Sequence, residues 1–486
     1  MPDALMTTVP TSPDGANPAP AHSAINLPGQ KQSFRQSLAP LFTLGWPMVL
    51  TQFFIMGTGF IDTAMAGRYS AADLAGVSLG GNVLWPAFML LTGVTMALAP
   101  ITSHLRGANK MGDIGHQIRQ GLWLSLASSA LMMMLLHNAG IVYEWTGIEP
   151  VIADIASDYL YAISWGVPPI IIYVALRHTL EGLGQTRPPM LIAGSVLPLN
   201  GFLNYALVYG EFGFPEMGGV GCGWATAIVF WVQLLLMLLL LPKPYFKATG
   251  LFKKFELPIL STCRDILKLG IPIGVAIFLE MALFGVVGFL VARLGVIDMA
   301  AHSIAGNLNW MTYVIPMSIG SAASIRIGFL VGSGDLAAAR STAGAIFKFS
   351  IGYALVMSLV LIGLRYQLVS IFTNDTEVIA IAIVLILFIA VYQTIDDAQA
   401  VIIGALRGYK DTTVPMIFGL VGYWFLALPI GYLLAEGLIT DEPLRVYGYW
   451  AGIASGMFIV AICVGIRLRH ISGNKEKILL LSATKD

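Results

Sequence analysis

The second half of this chain repeats the first half after 225 positions. Residues 45–107 align without a gap with residues 270–332. The shared positions are Gly45/Gly270, Pro47/Pro272, Asp73/Asp298, Ser78/Ser303, Gly81/Gly306, Asn82/Asn307 and Trp85/Trp310, and Trp224-Ala225 later lies over Trp450-Ala451. Solenoid proteins need three or more short repeats to bury a core, whereas one long duplication is typical of a membrane transporter with its site between two lobes.

Composition indicates that most of the chain lies in lipid. Hydrophobic residues make up 57% of it and charged residues only 11%, whereas soluble domains carry about a quarter charged residues. A helix needs roughly 20 apolar residues to cross about 30 Å of hydrocarbon. We place twelve such spans at 38–66, 76–104, 117–140, 152–180, 188–209, 219–242, 264–293, 300–331, 341–364, 376–406, 413–435 and 447–470. The sequence therefore predicts an all-α membrane protein with twelve transmembrane helices.

The distribution of charge predicts the orientation of these spans. Basic residues crowd the second loop, the central loop near Lys253 and the C-terminal tail, whereas the third and fifth loops carry glutamates such as Glu144 and Glu211 without Lys or Arg. By the positive-inside rule, both termini are cytoplasmic. Six spans return the chain to its starting side, so the two six-helix repeats are parallel.

The chain divides at the ends of these predicted spans. We expect a disordered cytoplasmic tail at 1–37, an N-lobe at 38–242, a cytoplasmic inter-lobe loop at 243–263, a C-lobe at 264–470 and a cytoplasmic C-terminal tail at 471–486. Cys222, Cys263 and Cys463 are widely spaced and form no CxxC pair. Neither a disulfide framework nor a metal site is expected from them.

Acidic residues inside the spans are the strongest functional clues, because an ionisable group in hydrocarbon costs several kcal/mol. Glu280 lies about 18 Å of helix after Lys268 and about 20 Å before Arg293, which predicts a carboxyl near the bilayer midplane. Asp396 is similarly placed, with Tyr392 and Gln393 on its helix face and Asp397 beside it. Few intramembrane cations are available to pair such carboxylates, so each needs a proton, an ion or a substrate.

A second polar group is predicted in the first half. Asp62 precedes Arg68 by six residues and is expected in the outer half of span 1, while Asn200 and Asn204, one turn apart, give span 5 a polar face. Together with Thr226 in span 6, the two asparagines are equally consistent with hydrogen bonds that hold helices together. Asp397 is also ambiguous, since it is either a second titrating group or a neighbour that faces a cavity.

One motif suggests an enzyme and must be weighed. Gly76 to Gly80 fits G-x-S-x-G, the nucleophile-elbow pattern, with Ser78 as the serine of an intramembrane hydrolase. The same residues fit GxxxG helix packing, and the second half keeps the serine as Ser303 without the glycines. A nucleophile elbow needs a strand before the serine, and none is predicted here. The chain has no P-loop GxxxxGK[ST], so it is not expected to use ATP.

As a set, four segments resemble the multidrug and toxic compound extrusion (MATE) transporters, in particular their NorM-like bacterial branch. They are 60–67 (FIDTAMAG), 278–280 (FLE), 392–399 (YQTIDDAQ) and 406–411 (LRGYKD). The resemblance spans about residues 38–470. It implies two six-helix lobes in a V, a C-lobe cation site at Glu280, Tyr392 and Asp396, and an N-lobe site at Asp62, Asn200, Asn204 and Thr226. Relatives of another branch carry an aspartate where this chain has Asn204.

The resemblance implies an antiporter of the bacterial inner membrane, with no enzyme activity and no cofactor. It is expected to export amphipathic cationic drugs and dyes in exchange for H⁺ or Na⁺, as a monomer in membrane lipid without nucleic acid. Two alternatives stay open: an exporter or flippase of lipid-linked precursors, and the hydrolase at Ser78. A flippase for polyanionic lipids should have a basic cavity, whereas these spans carry acids.

Overall fold

The computed structural model describes residues 32–146 and 148–482, and these residues contain α-helix, short 3₁₀ and π segments and loops, with no β-strand. Within these described ranges, eleven helices are long and apolar enough to cross a membrane, and a bent pair supplies a twelfth span. The prediction of an all-α protein with twelve transmembrane helices is therefore confirmed.

The first six spans form the N-lobe. They are α1 (Phe34–Tyr69), α2 (Ala71–Met96, continued by Leu98–Gly107), α3 (Met111–His137), α4 (Pro150–Ser164 and Val167–Gly182), α5 (Arg187–Tyr209) and α6 (Gly219–Leu238). A short helix, Ala139–Thr146, follows α3. The halves of α4 meet at 53°, because the second half starts with two prolines, whose missing N–H groups cannot continue the hydrogen bonds of the first half.

The other six spans form the C-lobe. They are α7 (Leu260–Ala292), α8 (Val296–Gly332), α9 (Leu336–Ser370), α10 (Thr376–Gly408), α11 (Thr413–Leu420, Val421–Ala427 and Leu428–Ala435) and α12 (Arg445–Ser472). The middle part of α11 is a π-helix. Pro429 removes an amide donor just after it, which loosens the regular hydrogen bonding there.

The ends of the chain differ somewhat from the predicted boundaries. Most of the predicted tail, residues 1–31, lies outside the described residues, and α1 already begins at Phe34. Ser33 and Gln36 form a reciprocal capping box that starts the helix before the apolar run. At the other end, α12 extends to Ser472, and a helix at Lys475–Ser482 lies in the predicted tail.

The two lobes pack tightly at one face of the molecule, which we call the loop face. It holds the start of α1, the segment between α6 and α7, and the end of α12. A Cβ atom on Gly93 of α2 would lie only 2.1 Å from the Cα of Gly274 in α7, so these backbones touch without side chains between them. His104 also bonds across the lobes through Nε2 to the Gly408 carbonyl oxygen, at 3.0 Å.

The same helices have free space on their other halves. No atom of a neighbouring element lies within 4 Å of where a Cβ atom would stand on Gly59 of α1 or Gly285 of α7. The contacts between the lobes at Gly93, Gly107 and His104 all lie in the half next to the loop face. We therefore describe the two lobes as a V that opens at the opposite face.

The inter-lobe segment between α6 and α7 is fixed to α3. It contains a short helix, Pro244–Lys247, and it ends at Ile259, since α7 begins at Leu260, four residues before the predicted position. Four α3 residues on one helix face hold it, and we call them the α3 clamp: His116, Arg119, Gln120 and Trp123.

The clamp binds the segment through both its backbone and Glu256. Arg119 donates to the Leu251 carbonyl oxygen at 2.8 Å and to Glu256 Oε1 at 2.9 Å. His116 Nδ1 lies 2.6 Å from Glu256 Oε2, Trp123 donates to the Glu256 carbonyl oxygen at 2.9 Å, and Gln120 Oε1 accepts from the Ile259 amide at 2.7 Å. The clamp therefore attaches the predicted inter-lobe loop to the N-lobe.

Candidate functional site

In the N-lobe, Asp62 is the acceptor for polar side chains from two other helices. Its Oδ1 atom accepts from Asn204 Nδ2 at 2.7 Å and from Asn200 Nδ2 at 3.2 Å, and Oδ2 accepts from Thr226 Oγ1 at 3.0 Å. All four residues are buried. Helices α1, α5 and α6 thus meet at one carboxylate, and the four residues predicted for this site lie together.

The local sequence explains why these groups converge. Asn200 and Asn204 are one turn apart on α5, so both amides project to the same side of the helix. Cys222, one turn before Thr226 on α6, has its thiol 3.5 Å from the Asp62 carbonyl oxygen. The Oδ1 atoms of both asparagines are buried without a hydrogen-bond partner. The site therefore holds more acceptors than donors, which suits an added proton or cation.

In the C-lobe, the predicted residues Glu280, Tyr392 and Asp396 also lie together. Asp396 is 2% exposed and close enough to Glu280 for their charges to interact. Two tyrosines that sequence reasoning missed join them, Tyr313 of α8 and Tyr423 of α11. A weak signal existed for Tyr313, because Asn309 stands one turn before it and gives α8 a polar face.

The geometry distinguishes the two adjacent aspartates of α10. Asp396 faces Glu280, Tyr313 and Tyr423. Successive helical residues point about 100° apart, so Asp397 faces another side, close to Gln393 and to Tyr353 of α9. Gln393 was predicted on the Asp396 face but lies nearer to Asp397.

Among residues 32–146 and 148–482, Asp396 Oδ1 is buried without a hydrogen-bond partner. Tyr392 Oη has only Asn309 beside it, and the Asp397 carboxylate has only Gln393, each in poor hydrogen-bond geometry. A buried polar atom without a partner costs about 1–3 kcal/mol. These poorly satisfied polar atoms around two carboxylates indicate a site that takes up a ligand. In a cluster that only held helices together, each buried polar atom would have a hydrogen-bond partner.

One expectation about this cluster is wrong. Glu280 was predicted to lack a nearby cation, but the guanidinium of Arg407 lies close enough to act on its charge, although the two form no ion pair within 4 Å. Arg407 is near the loop-face end of α10 and lines the same small cavity as Ala276, one turn before Glu280 on α7. From sequence, an arginine at a helix end is expected to extend towards water instead.

The two carboxylate sites are not equivalent in the repeat. At the shift of 225 positions, Asp62 corresponds to Val287, which is buried and apolar, and Glu280 corresponds to Ile55. The acids of α1 and α7 are therefore offset by seven residues, about 10 Å along equivalent helices. The two lobes therefore share a helix arrangement but carry their carboxylates at different positions on it.

Ser78 does not stand in a nucleophile elbow. It is an exposed residue inside the continuous helix α2. Its flanking glycines pack against α4: a Cβ atom on Gly76 would lie 2.4 Å from Ile155 Cγ2, and one on Gly80 would lie 2.6 Å from Tyr159 Cδ1. The motif is a helix-packing motif, and the hydrolase alternative is wrong.

Comparison with known proteins agrees with this architecture. The family model MatE matches residues 47–206 and 272–433, one match in each lobe. The chain belongs to the MatE family. This MATE protein is therefore a multi-pass membrane transporter and not an enzyme.

Solved structures share the fold of this MATE protein over nearly its whole length. It is similar to the eukaryotic MATE transporter AtDTX14, with a TM-score of 0.84 and 18% identity over 92% of this chain and 98% of that one. The Vibrio cholerae MATE transporter VcmN in the bent form gives 0.80 and 16% over 92% and 99%. A MOP superfamily transporter from Pyrococcus furiosus gives 0.81 and 18% over 93% and 100%. At these identities the likeness concerns the fold alone.

Proposed function

We propose that this MATE protein is a cation-coupled antiporter that exports amphipathic organic cations. The observation that carries the proposal is the pair of buried carboxylate clusters, one in each lobe. Within the described part of the chain, each cluster has buried oxygen atoms without a hydrogen-bond partner, namely Asp396 Oδ1 in the C-lobe and the Oδ1 atoms of Asn200 and Asn204 in the N-lobe. Deep carboxylates attract both a coupling cation and a cationic drug. Competition for the same negative charge then links the uptake of one to the release of the other.

In the C-lobe, Glu280 and Asp396 carry the coupling. Two carboxylates in one buried cluster repel each other when both are ionised. Binding of H⁺ or Na⁺ removes part of this repulsion, and a bound organic cation does the same. Arg407 adds a fixed positive charge on the loop-face side of Glu280, which favours release of the bound cation when the cluster opens to that side.

In the N-lobe, Asp62 acts as a switch in helix packing. Its ionised form accepts from Asn200, Asn204 and Thr226 at once. A proton on one carboxyl oxygen removes acceptor capacity there and weakens the ties of α1 to α5 and α6. A different packing of α1 then becomes accessible, with drug release as the consequence.

The proposed substrates match the exposed aromatic surface of the helices that line the V. Phe60 of α1 is 75% exposed and Phe289 of α7 is 63% exposed. Trp85 of α2 and Trp310 of α8, equivalent in the repeat, are also exposed. Flat apolar cations bind aromatic faces through dispersion and cation–π attraction, with loose selection by shape.

We also propose that the loop face is cytoplasmic and that the protein resides in the bacterial inner membrane as a monomer. The basic residues of the inter-lobe segment and of the end of α12 support this orientation. With the lobes packed at the loop face, the V then opens to the outside, ready to release drug and to accept a cation.

The test is ethidium transport in proteoliposomes with a pH gradient and a Na⁺ gradient imposed separately. One of the two gradients should drive transport by the wild type. Asp396→Asn and Glu280→Gln should lose this dependence at equal protein content, whereas Asp265→Asn, an exposed carboxylate of α7 paired with Lys268 at 3.0 Å, should keep it. Gradient-driven transport by both cluster variants at the wild-type rate would remove the C-lobe site from the mechanism.

A further inference from the structure

A cavity of about 350 Å³ lies in the C-lobe at the face opposite the loop face. The first turns of α8, α10 and α12 form it, and its lining includes Ile297, Asp298, Glu377, Ile381, Arg445 and Tyr447. Cavities of this size hold small organic ligands. It lies at the ends of three membrane-spanning helices, far along α10 from the carboxylates of the transport site, and it takes no part in the proposed antiport.

The repeat explains why this cavity is open in one lobe. In the N-lobe, Asp73 accepts from the backbone amide of Gly219, the first residue of α6, at 2.6 Å. There is no room for a side chain at that contact, since a Cβ atom on Gly219 would lie 3.0 Å from Asp73. In the C-lobe, Asp298 corresponds to Asp73, and Arg445 is the first residue of α12.

Arg445 replaces the backbone contact with a long side chain. Its Nη2 group donates to Asp298 Oδ2 and, at 3.2 Å, to the Leu294 carbonyl oxygen. Its φ angle is +49°, in the left-handed region that a residue with a side chain rarely adopts. The side chain of Arg445 remains 58% exposed. An unfavourable backbone conformation thus holds a guanidinium group at the wall of an open cavity.

The cavity also presents a carboxylate without a partner. Among residues 32–146 and 148–482, no hydrogen bond or ion pair engages the Glu377 carboxylate, although its backbone amide is capped by Asp375 at 2.9 Å. At the repeat position of Glu377 the N-lobe has the apolar residues Val151 and Ile152. At the repeat positions of Glu377 and Arg445, the N-lobe therefore has neither an acid nor an arginine.

Apolar groups surround these charges. Val296 and Leu444, the chain neighbours of lining residues, are 86% and 38% exposed. Because α8, α10 and α12 begin here, this rim lies at the level where a bilayer changes from hydrocarbon to head groups. A ligand that reaches the cavity along the rim therefore comes from the membrane.

We propose that this cavity binds the head group of a zwitterionic phospholipid, phosphatidylethanolamine, from the adjacent leaflet. Arg445 binds the phosphate through its unused N–H groups, and Glu377 accepts from the ammonium group. The acyl chains lie along Ile297 and Ile381. Asp298 already balances the charge of Arg445, so Glu377 gives the cavity a net negative charge. An anionic lipid would add to that charge, and a simple organic cation would leave the free N–H groups of Arg445 unused, so a zwitterion fits both groups.

The test measures lipid retained by the purified full-length protein in detergent, by native mass spectrometry with phosphatidylethanolamine and phosphatidylglycerol as competing probes. The wild type should retain phosphatidylethanolamine about fivefold better. Glu377→Gln should abolish this preference. Arg445→Gly, which restores the N-lobe arrangement and relieves the positive φ, should lower retention of both lipids about fivefold. Glu442→Gln, an exposed acid of the same face outside the cavity lining, should change nothing.

Equal retention of phosphatidylethanolamine by the wild type and both cavity variants would overturn the proposal. Displacement of the lipid by soluble phosphoethanolamine at the same concentration would also overturn it, in favour of a water-soluble ligand. Displacement by ethidium would identify a second drug site instead. None of these outcomes depends on transport, so failure here leaves the proposed antiport intact.

Discussion

Replacement of Asp62 separates the structural role of this residue from its charge. In Asp62→Leu, the amide groups of Asn200 and Asn204 lose their acceptor inside the N-lobe. Each buried unsatisfied donor costs about 1–3 kcal/mol, so this variant should be destabilised by about 2–6 kcal/mol. The Thr226 hydroxyl adds less, because it can rotate to a helical carbonyl oxygen.

Asp62→Asn should keep the fold and lose the function. The new amide oxygen still accepts from both asparagines, and the new amide nitrogen can donate to the Thr226 oxygen. The cost is about 1–2 kcal/mol, mainly because the acceptor is no longer charged. Since this side chain cannot take up or release a proton, drug binding should persist while gradient-coupled turnover is lost.

Two measurements check this reasoning. Thermal unfolding of the detergent-solubilised proteins should rank wild type above Asp62→Asn and Asp62→Asn clearly above Asp62→Leu. In proteoliposomes, Asp62→Asn should still bind ethidium but should lose gradient-driven transport. Transport by Asp62→Asn at the wild-type rate with unchanged gradient dependence would reduce Asp62 to a packing residue. Equal melting of the Leu and Asn variants would show that the hydrogen bonds carry little stability.

Three further predictions follow from other contacts. Tyr392→Phe should slow transport by less than about tenfold, a milder effect than Asp396→Asn, because it removes one weakly held hydroxyl and no charge; an effect as large as that of Asp396→Asn would make the hydroxyl an essential ligand. In a variant without native cysteines, Lys253→Cys should react with an impermeant thiol reagent only from the cytoplasm and Glu211→Cys only from outside, and the opposite result would reverse the assigned orientation. Arg119 and His116 lower the pKa of Glu256 to about 2, so Glu256 contributes stability above its unfolded pKa, and that contribution is lost only as the pH falls towards about 2. In a His116→Gln background, Glu256→Gln should therefore lower the melting temperature by a constant amount between about pH 5 and 8, and a difference that vanishes by pH 5 would contradict this assignment.

The sequence was sufficient for the span count and the two-lobe class, because apolar length and duplication survive in any packing. The importance of Asp62 was predictable from its place inside a span, whereas its grouping with Asn200, Asn204 and Thr226 was implied only by the resemblance to the MATE family. The choice between Asp396 and Asp397 was not, because it depends on the rotation of α10 within the lobe, and both residues are buried.

Features that depend on close approach or on side-chain reach could not be predicted. Arg407 lies close enough to Glu280 for their charges to interact, and no spacing in the sequence encodes that proximity. Arg445 likewise reads as an ordinary loop residue. Its role becomes clear only from a comparison of the two lobes, in which Arg445 contacts Asp298 where the Gly219 amide contacts Asp73.

The α3 clamp determines where the lobes can pivot. Gln120 holds the amide of Ile259, and α7 begins at the next residue, so the first helix of the C-lobe is pinned to the N-lobe at its end on the loop face. From that pin α7 extends for 33 residues, about 50 Å. A tilt of about 10° around the pin moves the far end of α7 by about 9 Å while the pinned end stays in place. In a pivot at this pin, a small repacking near Gly93 and Gly274 would become a wide opening at the other face.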